Sequence, residues 1–392
     1  MITAPVGPEL LQRTLALVDA HTTEFAEDVL RVPLSYYRDP QVFERERSEL
    51  CRHVPLALAV SAQLTAPHDF VVREVLGTSV LISRGADGVA RAFLNYCRHR
   101  GGKPAQGCGN ARRHTCPYHA WTYDSSGHLV GLPGAEGFDS IDRAEYPLVA
   151  LPAEERHGLV WVVLTATDSI DVAAHLGSLD AELSTWNLGA SEYLTEREFE
   201  ASVNWKAAIE AFAEDYHFPY VHANSLVGQN VIGNTAIYDG YGQHHRLGFP
   251  TPWITTARTD ADPTAAEAQP LGYMVFIYWI FPNLTLAMSP VGTEIIDILP
   301  GTSPGHCVMR HGWMSHTPSP DDATRAGYAD LYELVHAAVR DEDFGVLPGC
   351  GEGSQQGQHD HMLIGRNEIG VQHVVTTFHQ ALDLPLSPPT PS

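Results

Sequence analysis

The chain has 392 residues, 44% of them apolar and 18% charged, and a formal net charge of −23. That length suits two domains and that composition an ordinary globular protein. The negative charge argues against nucleic acid and anionic membrane surfaces as partners, and otherwise serves solubility.

The opening stretch MITAPVGPELLQRTLALVDA lacks a basic segment followed by an apolar core, so it does not read as a secretory signal. No apolar run reaches the length of a membrane span. The expected location is the cytoplasm. Six cysteines, Cys51, Cys97, Cys108, Cys116, Cys307 and Cys350, are too sparse for a disulfide framework. In a reducing compartment, cysteines close to histidines point to metal.

Residues 8–30 read as an amphipathic helical region. From about 54 to 165 short β-rich runs follow (FVVREV, SVLISR, VARAFLNY, LVWVVL), separated by Gly-containing turns, as in a small antiparallel β domain. Residues 205–217 read as a helix, and YMVFIYWIF (273–281), TEIIDILP (293–300) and HCVMRHGWMSH (306–316) as strands. Residues 324–344 read as a helix with Tyr328, Leu331, Leu334, Val335 and Ala338 on one face. Helices around an antiparallel sheet make the second domain α+β. Residues 256–270 read as a mobile loop. The expected division is an N-terminal helical segment (1–40), a β domain (41–165), an α+β domain (166–384) and a disordered tail (385–392).

The strongest motif is Cys97-x-His99, sixteen intervening residues, then Cys116-x-x-His119. A Cys2His2 zinc site is the alternative. Three features favour a two-iron cluster. Each pair mixes one Cys with one His, so two thiolates can take one iron and two imidazoles the other. Each pair sits in a loop between β runs. The flanks NYCRHRGGKPAQG and CPYHAWTYDSSGHL are also specific.

These loops resemble those of the Rieske-type non-haem iron oxygenases, the aromatic-ring-hydroxylating oxygenase family, as does VPLSYYRDPQVFERERSEL at 32–50. The resemblance implies a Rieske [2Fe–2S] domain held by Cys97, His99, Cys116 and His119. It also implies a helix-grip (START-like) α+β catalytic domain with one Fe(II) per subunit. Electron-transport Rieske proteins carry an extra cysteine in each loop; the corresponding positions here are Gly102 and Tyr118. The cluster should therefore lie toward the low end of roughly −150 to +300 mV.

The second motif is Asn204-Trp-Lys, Glu210, Glu214, Asp215, His217, Pro219 and His222. Two histidines and a carboxylate on one face leave open positions on an iron for O2 and substrate. On a helix Glu210, Glu214 and His217 share a face, and Pro219 would break the helix and let His222 swing back. The string resembles the family's catalytic helix. By that resemblance His217, His222 and a distal aspartate hold the iron. Asp343 is the first candidate for it, with Asp341 as competitor. Glu214 and Asn204 are the catalytic candidates. The resemblance makes Glu214 the carboxylate that links an iron-ligand histidine to a cluster histidine of the neighbouring subunit. Ala211 stands where the family often has Asn.

The resemblance further implies a head-to-tail homotrimer and a separate NAD(P)H-dependent reductase, with or without a ferredoxin. No Rossmann fingerprint or ferredoxin cysteine spacing occurs in this chain. Tyr273, Phe276, Tyr278, Trp279, Phe281, Asn283 and Trp253 are candidate pocket residues, although alternating aromatics on a strand are more often core. His244, His245, His359 and His361 read as ordinary loop histidines. The first functional reading is hydroxylation of an aromatic or cyclic hydrophobic substrate. The alternative is monooxygenation of a quaternary amine such as a betaine. A pure electron carrier is the reading from another class.

Overall fold

The computed structural model describes residues 8–225, 231–258, 272–289, 291–317, 319–356 and 360–385. Beyond Arg258, the expected 256–270 loop lies outside these residues, as do His359 and the tail from 386. The chain divides into two compact units. One holds residues 51–175 and 188–190; the other holds 1–50, 176–187 and 191–392. The expected boundary at 41 thus falls at 51. The reason is a buried polar anchor inside the larger unit. Glu46 accepts from Trp205 Nε1 (2.7 Å) and pairs with Lys206, whose ammonium also bonds the Tyr36 carbonyl. Lys206 and Glu46 are both fully buried, so removing either partner would strand a charge in the core.

The smaller unit is built from three antiparallel sheets. The largest has the spatial order Ala150–Leu151, Ala90–Leu94, Thr78–Arg84, Asp69–Val75, Cys108–Asn110. A three-stranded sheet, Arg113–Thr115, Thr122–Asp124, Leu129–Gly131, carries the second Cys/His loop between its first two strands. The first Cys/His loop leaves the end of Ala90–Leu94. Leu81, Phe93, Trp121, Tyr123, Leu129 and Leu148 form a core that includes Cys97 and Cys116.

The larger unit is organised on a seven-stranded antiparallel sheet. Its spatial order is Glu192–Ala201, Cys307–Ser315, Gly292–Pro300, Leu284–Met288, Met274–Ile280, His244–Pro250, Ile237–Tyr241. The register aligns Ile277, Ala287, Glu294 and Trp313 in one row across four strands. Helices pack around this sheet, which gives the expected α+β class. The N-terminal helix is shorter than expected, Pro8–Ala20; the chain then extends, and Leu30–Pro33 pairs with His361–Ile364.

The late helix Asp322–Ala337 is capped by Asp321, which accepts from Thr324 N at 2.8 Å. Tyr332 and His336 are buried, and of the expected face Tyr328, Leu331 and Val335 are half-buried and Ala338 is buried, while Leu334 alone is exposed. The helix then widens into a π-turn, Ala338–Asp343, before Phe344–Gln355 resumes α geometry. A π-turn inserts an extra residue per turn and re-aims side chains, a device concentrated at functional sites. No helix among the described residues is long and apolar enough to cross a membrane.

Candidate active site

The two Cys/His loops of the smaller unit repeat one hydrogen-bond pattern. Cys97 N donates to Gly102 O (2.8 Å), and Gly101 N donates back to Cys97 O (2.9 Å). Cys116 N donates to Trp121 O (2.8 Å), and Ala120 N donates back to Cys116 O (3.0 Å). Both turns need a left-handed residue at the same place, and Gly101 (φ 76°) and Ala120 (φ 56°) supply it. The cysteines are buried and unpaired by disulfide. The two histidine rings lie 4.6 Å apart, His99 stacked on Trp121.

His99 Nδ1 is buried and has no hydrogen-bond partner, a costly state for a ring nitrogen unless a metal takes it. Two buried thiols, an orphaned imidazole nitrogen and a second imidazole beside it fit a mixed-ligand [2Fe–2S] cluster. A Cβ at Gly102 would sit 3.8 Å from Tyr118 Cβ, the spacing of a disulfide, and 2.8 Å from Cys116 Sγ. The loops therefore occupy a disulfide-ready geometry without the cysteines, and a side chain at Gly102 would press on the Cys116 sulfur.

Sequence reasoning missed Tyr123. Its hydroxyl lies 3.3 Å from Cys97 Sγ and accepts from Arg98 N at 2.9 Å. The only local signal was its place two residues after Trp121.

In the larger unit the structure brings His217, His222 and Asp343 together. One ligand atom from each lies within 4.8 Å of the others. Asp343 Oδ1 is 3.4 Å from His217 Nε2 and 2.9 Å from His222 Nε2. Asp341 points away: it is exposed and pairs with Arg340. The opposite nitrogen of each imidazole is also held. His217 Nδ1 bonds Glu214, and His222 Nδ1 lies 2.7 Å from Glu342 Oε2, which also accepts from Ser225 Oγ (2.6 Å). A carboxylate on Nδ1 leaves Nε2 as the free lone pair and fixes the ring plane. Glu342 was not among the sequence candidates; lying beside Asp343 in an acidic run, it gave no local signal of its own.

Burial alone would raise the Asp343 pKa, but its bonds to His217 and His222 outweigh that and hold it below the usual carboxylate range. Burial works against charge on His217 as well. Its bonds to Asp343 and Glu214 win, and its pKa rises to about 10. A buried, electronegative cage of this kind favours a cation at its centre. Two imidazoles and one carboxylate on one side are the donor set of a non-haem Fe(II) site with open positions. The residues present fit both groups.

The path to this geometry differs from the expected one. The helix spans only Trp205–Glu210, and irregular turns carry Glu214 and His217. Pro219 sits in the first turn of the next helix, Phe218–Val221, where its missing N–H costs nothing. Glu214 accepts from the backbone N–H groups of Tyr216 and His217, so the turn itself aims the carboxylate. Asn204 caps the first helix through Lys206 N (3.0 Å) and donates to the carbonyls of Tyr37 (2.6 Å) and Pro304 (2.8 Å). Its polar atoms are committed to backbone. Asp215 is buried and accepts from Thr235 N at 2.7 Å. His244 and His245 lie not on a loop but on the buried strand His244–Pro250.

His217 and Asp343 line a cavity of about 260 Å³ with Glu210 and Glu214, and a separate cavity of about 460 Å³ is reached at Phe218, the residue after His217. The lining of the larger cavity includes Phe218, Phe249, Trp253, Ile277, Glu294 and Trp313. Phe218 follows His217 directly, and its ring lies 4.9 Å from that of His217 and 5.4 Å from that of His222. Of the expected pocket residues only Trp253 lines it. Phe276, Tyr278, Trp279, Phe281 and Asn283 are buried instead. Strand parity explains the difference for the first two: Val275 and Ile277 face the cavity, and Phe276 and Tyr278 face the opposite way, toward Trp186.

Comparison with known proteins identifies the two domains. Residues 54–146 match the Rieske [2Fe-2S] domain, and residues 185–383 match the ring hydroxylating alpha subunit (catalytic domain). The chain is 31% identical over 370 residues to the carnitine monooxygenase oxygenase subunit of Acinetobacter pittii, covering 89% of this chain and 94% of that protein. It is 33% identical over 222 residues to the anthranilate 1,2-dioxygenase large subunit of Burkholderia cepacia, covering 52% and 51%. Among solved structures it is similar in fold to the quaternary ammonium Rieske monooxygenase CntA in complex with L-carnitine (TM-score 0.74, 23% identity, 91% and 97% covered). It is also similar to naphthalene 1,2-dioxygenase from Rhodococcus sp. bound to indole (TM-score 0.73, 17% identity, 96% and 98% covered). The chain belongs to the ring-hydroxylating alpha-subunit family and is the oxygenase component of a Rieske non-haem iron oxygenase, with a [2Fe–2S] cluster and a mononuclear iron.

Proposed function

We propose that this oxygenase acts on a quaternary ammonium compound, as a monooxygenase. The observation that carries the reading is Glu294, among the described residues the one charged side chain lining a cavity otherwise walled by Phe218, Phe249, Trp253, Trp313, aliphatic side chains and the hydroxyls of Thr251 and Ser289. Aromatic faces and a single carboxylate attract a cation. An uncharged aromatic ring would leave the cavity-facing oxygen of Glu294 with only the His311 contact on its other oxygen to offset its desolvation. The similarity to carnitine and glycine betaine monooxygenase oxygenase subunits supports the same reading. It therefore replaces the aromatic or cyclic substrate expected first.

In this reading Cys97, His99, Cys116 and His119 hold the cluster, and His217, His222 and Asp343 hold the iron. When bound, the iron supplies oxygen activation with electrons delivered through the cluster. The chain's own residues do the rest. Glu214 and Glu342 keep His217 and His222 in the tautomer that presents Nε2. Phe218 separates the ligand histidines from the cavity and shapes the approach. The cavity's apolar walls exclude water, and Glu294 orients the ammonium group.

The overall reaction uses O2, two electrons and two protons. One oxygen atom enters a C–H bond beside the ammonium nitrogen and the other leaves as water. The hydroxylated carbon then loses the amine, giving a carbonyl compound, a tertiary amine and a proton. The electrons come from a separate reductase. A solved quaternary ammonium Rieske monooxygenase is described in terms of inter-subunit electron transfer, which supports a homo-oligomer, here proposed as a trimer, in which Glu214 joins two subunits' metal sites.

A cavity and a three-donor cage are both superfluous in a pure electron carrier. The test is product analysis: the holoenzyme with a compatible reductase, NADH and O2, offered quaternary ammonium compounds and aromatic acids. Stoichiometric tertiary amine and carbonyl product supports the reading. Hydroxylated ring products in their place would return the assignment to the aromatic branch.

A further inference from the structure

None of the residues lining the 460 Å³ cavity is Lys, Arg or His. The arginines on the adjoining strands are already neutralised. Arg246 pairs with Glu182 and, at 2.8 Å, with Asp239; Arg310 pairs with Asp297. Among the described residues the cavity lining thus carries one carboxylate and no cationic side chain.

Glu294 is a built acceptor. Its Oε2 lies 3.0 Å from Nε2 of the fully buried His311, whose Nδ1 is 3.1 Å from His336 Nδ1. This buried pair fixes one oxygen, and Oε1 has no hydrogen bond among the described residues. The cross-strand row places Trp313 and Ala287 on either side of Glu294, so the carboxylate stands between an aromatic ring and a small residue that leaves room. A second polar atom is unspent. Thr251 lines the cavity, is buried to 1% exposure, and its Oγ1 has no hydrogen-bond partner. A hydroxyl can satisfy a neutral oxygen but cannot balance a carboxylate.

We propose that the cavity selects an ammonium ion whose other end is uncharged, an alcohol, ester or amide, over a zwitterion carrying a carboxylate. Glu294 pairs with the ammonium and Thr251 Oγ1 donates to the neutral oxygen. This rests on the quaternary ammonium reading of the same cavity and adds the charge of the substrate's far end. A zwitterion entering this cavity would bury its carboxylate without a cationic partner, which is the costlier of the two mismatches. An ester or amide would bury only a carbonyl that Thr251 can satisfy.

The experiment is anaerobic calorimetric titration of the iron-replete holoenzyme with a matched set built on one skeleton. The set is a trimethylammonium carboxylate, its methyl ester, its primary amide, and the neutral ester in which a tert-butyl group replaces the ammonium. The ester and amide should bind at least roughly 30-fold tighter than the acid, the scale of one unpaired buried charge. Glu294→Gln should weaken the cationic ester about 10-fold or more and leave the neutral isostere unchanged. Equal affinity for acid and ester overturns the inference while leaving the quaternary ammonium reading intact. Arg258, the only Lys or Arg between residues 247 and 309, is then the first residue to substitute. Equal affinity for the tert-butyl isostere and the cationic ester overturns the ammonium reading itself, and with it this inference.

Discussion

His222 Nε2 stands 2.9 Å from Asp343 Oδ1 while its Nδ1 is held by Glu342, the residue immediately before that aspartate. One π-turn, Ala338–Asp343, therefore supplies both the carboxylate that faces the imidazole and the carboxylate that orients it from behind. A straight α-helix would separate neighbouring side chains by about 100° and aim them at different partners; here they converge on opposite nitrogens of one ring.

Glu342→Gln should weaken iron retention by 10- to 100-fold, the usual consequence of losing an orienting carboxylate, with the fold unchanged. Iron content after timed dialysis against a chelator, with circular dichroism as control, measures this. Iron retention equal to wild type would mean that Ser225 and the turn alone position His222.

Glu214→Gln addresses the other histidine. The amide can still accept from the N–H groups of Tyr216 and His217, so the turn should survive. The cluster should stay bound and iron retention fall no further than in Glu342→Gln, while turnover per bound iron driven by the reductase falls by about 100-fold or more. Unchanged turnover would remove Glu214 from the electron path.

Glu210 gives a pH signature. Burial dominates its environment and raises its pKa to about 8, against the lowering effects of the Tyr37 hydroxyl and Lys206. In the unfolded chain it titrates near 4.3. Between those values the folded state holds a proton that the unfolded state has released, so stability falls as pH rises through this window. Glu210→Gln removes the titration. Its melting temperature relative to wild type should climb by several °C from pH 5 to pH 8. A constant difference across that range would place the carboxyl pKa in the ordinary range.

Tyr123→Phe removes the hydroxyl beside Cys97 Sγ. A hydrogen bond to a cluster thiolate stabilises the more electron-rich reduced state, so its loss should lower the potential, on the order of tens of mV. Protein-film voltammetry or a redox titration followed by EPR reads the change. A potential equal to that of wild type would show that Tyr123 serves only Arg98 N.

The chemistry was legible in the sequence where it is local. Cys97-x-His99 and Cys116-x-x-His119 each sit within a single turn, so their spacing alone exposed them. Asp343 came only through family resemblance, because an acidic run at a helix end has no intrinsic signature. What the sequence could not show is which residues meet over long distances. Glu46 and Lys206 are linked across 160 positions, and Glu342 and His222 across 120. Strand parity divides residues 273–281 into two faces but does not say which face meets the cavity. Aromatic content pointed to Phe276 and Tyr278, and the core claimed them. Glu294 shares its strand with a second acid, Asp297, and its meaning depended on a register aligning it with Trp313.

The most direct test is EPR of the anaerobically reduced, iron-replete protein exposed to nitric oxide, with and without a trimethylammonium ester. The expected spectrum contains a reduced Rieske signal and a high-spin iron–nitrosyl signal whose line shape changes when the ammonium compound is added. A Rieske signal with no iron–nitrosyl species would contradict the assignment of His217, His222 and Asp343 and leave an electron carrier.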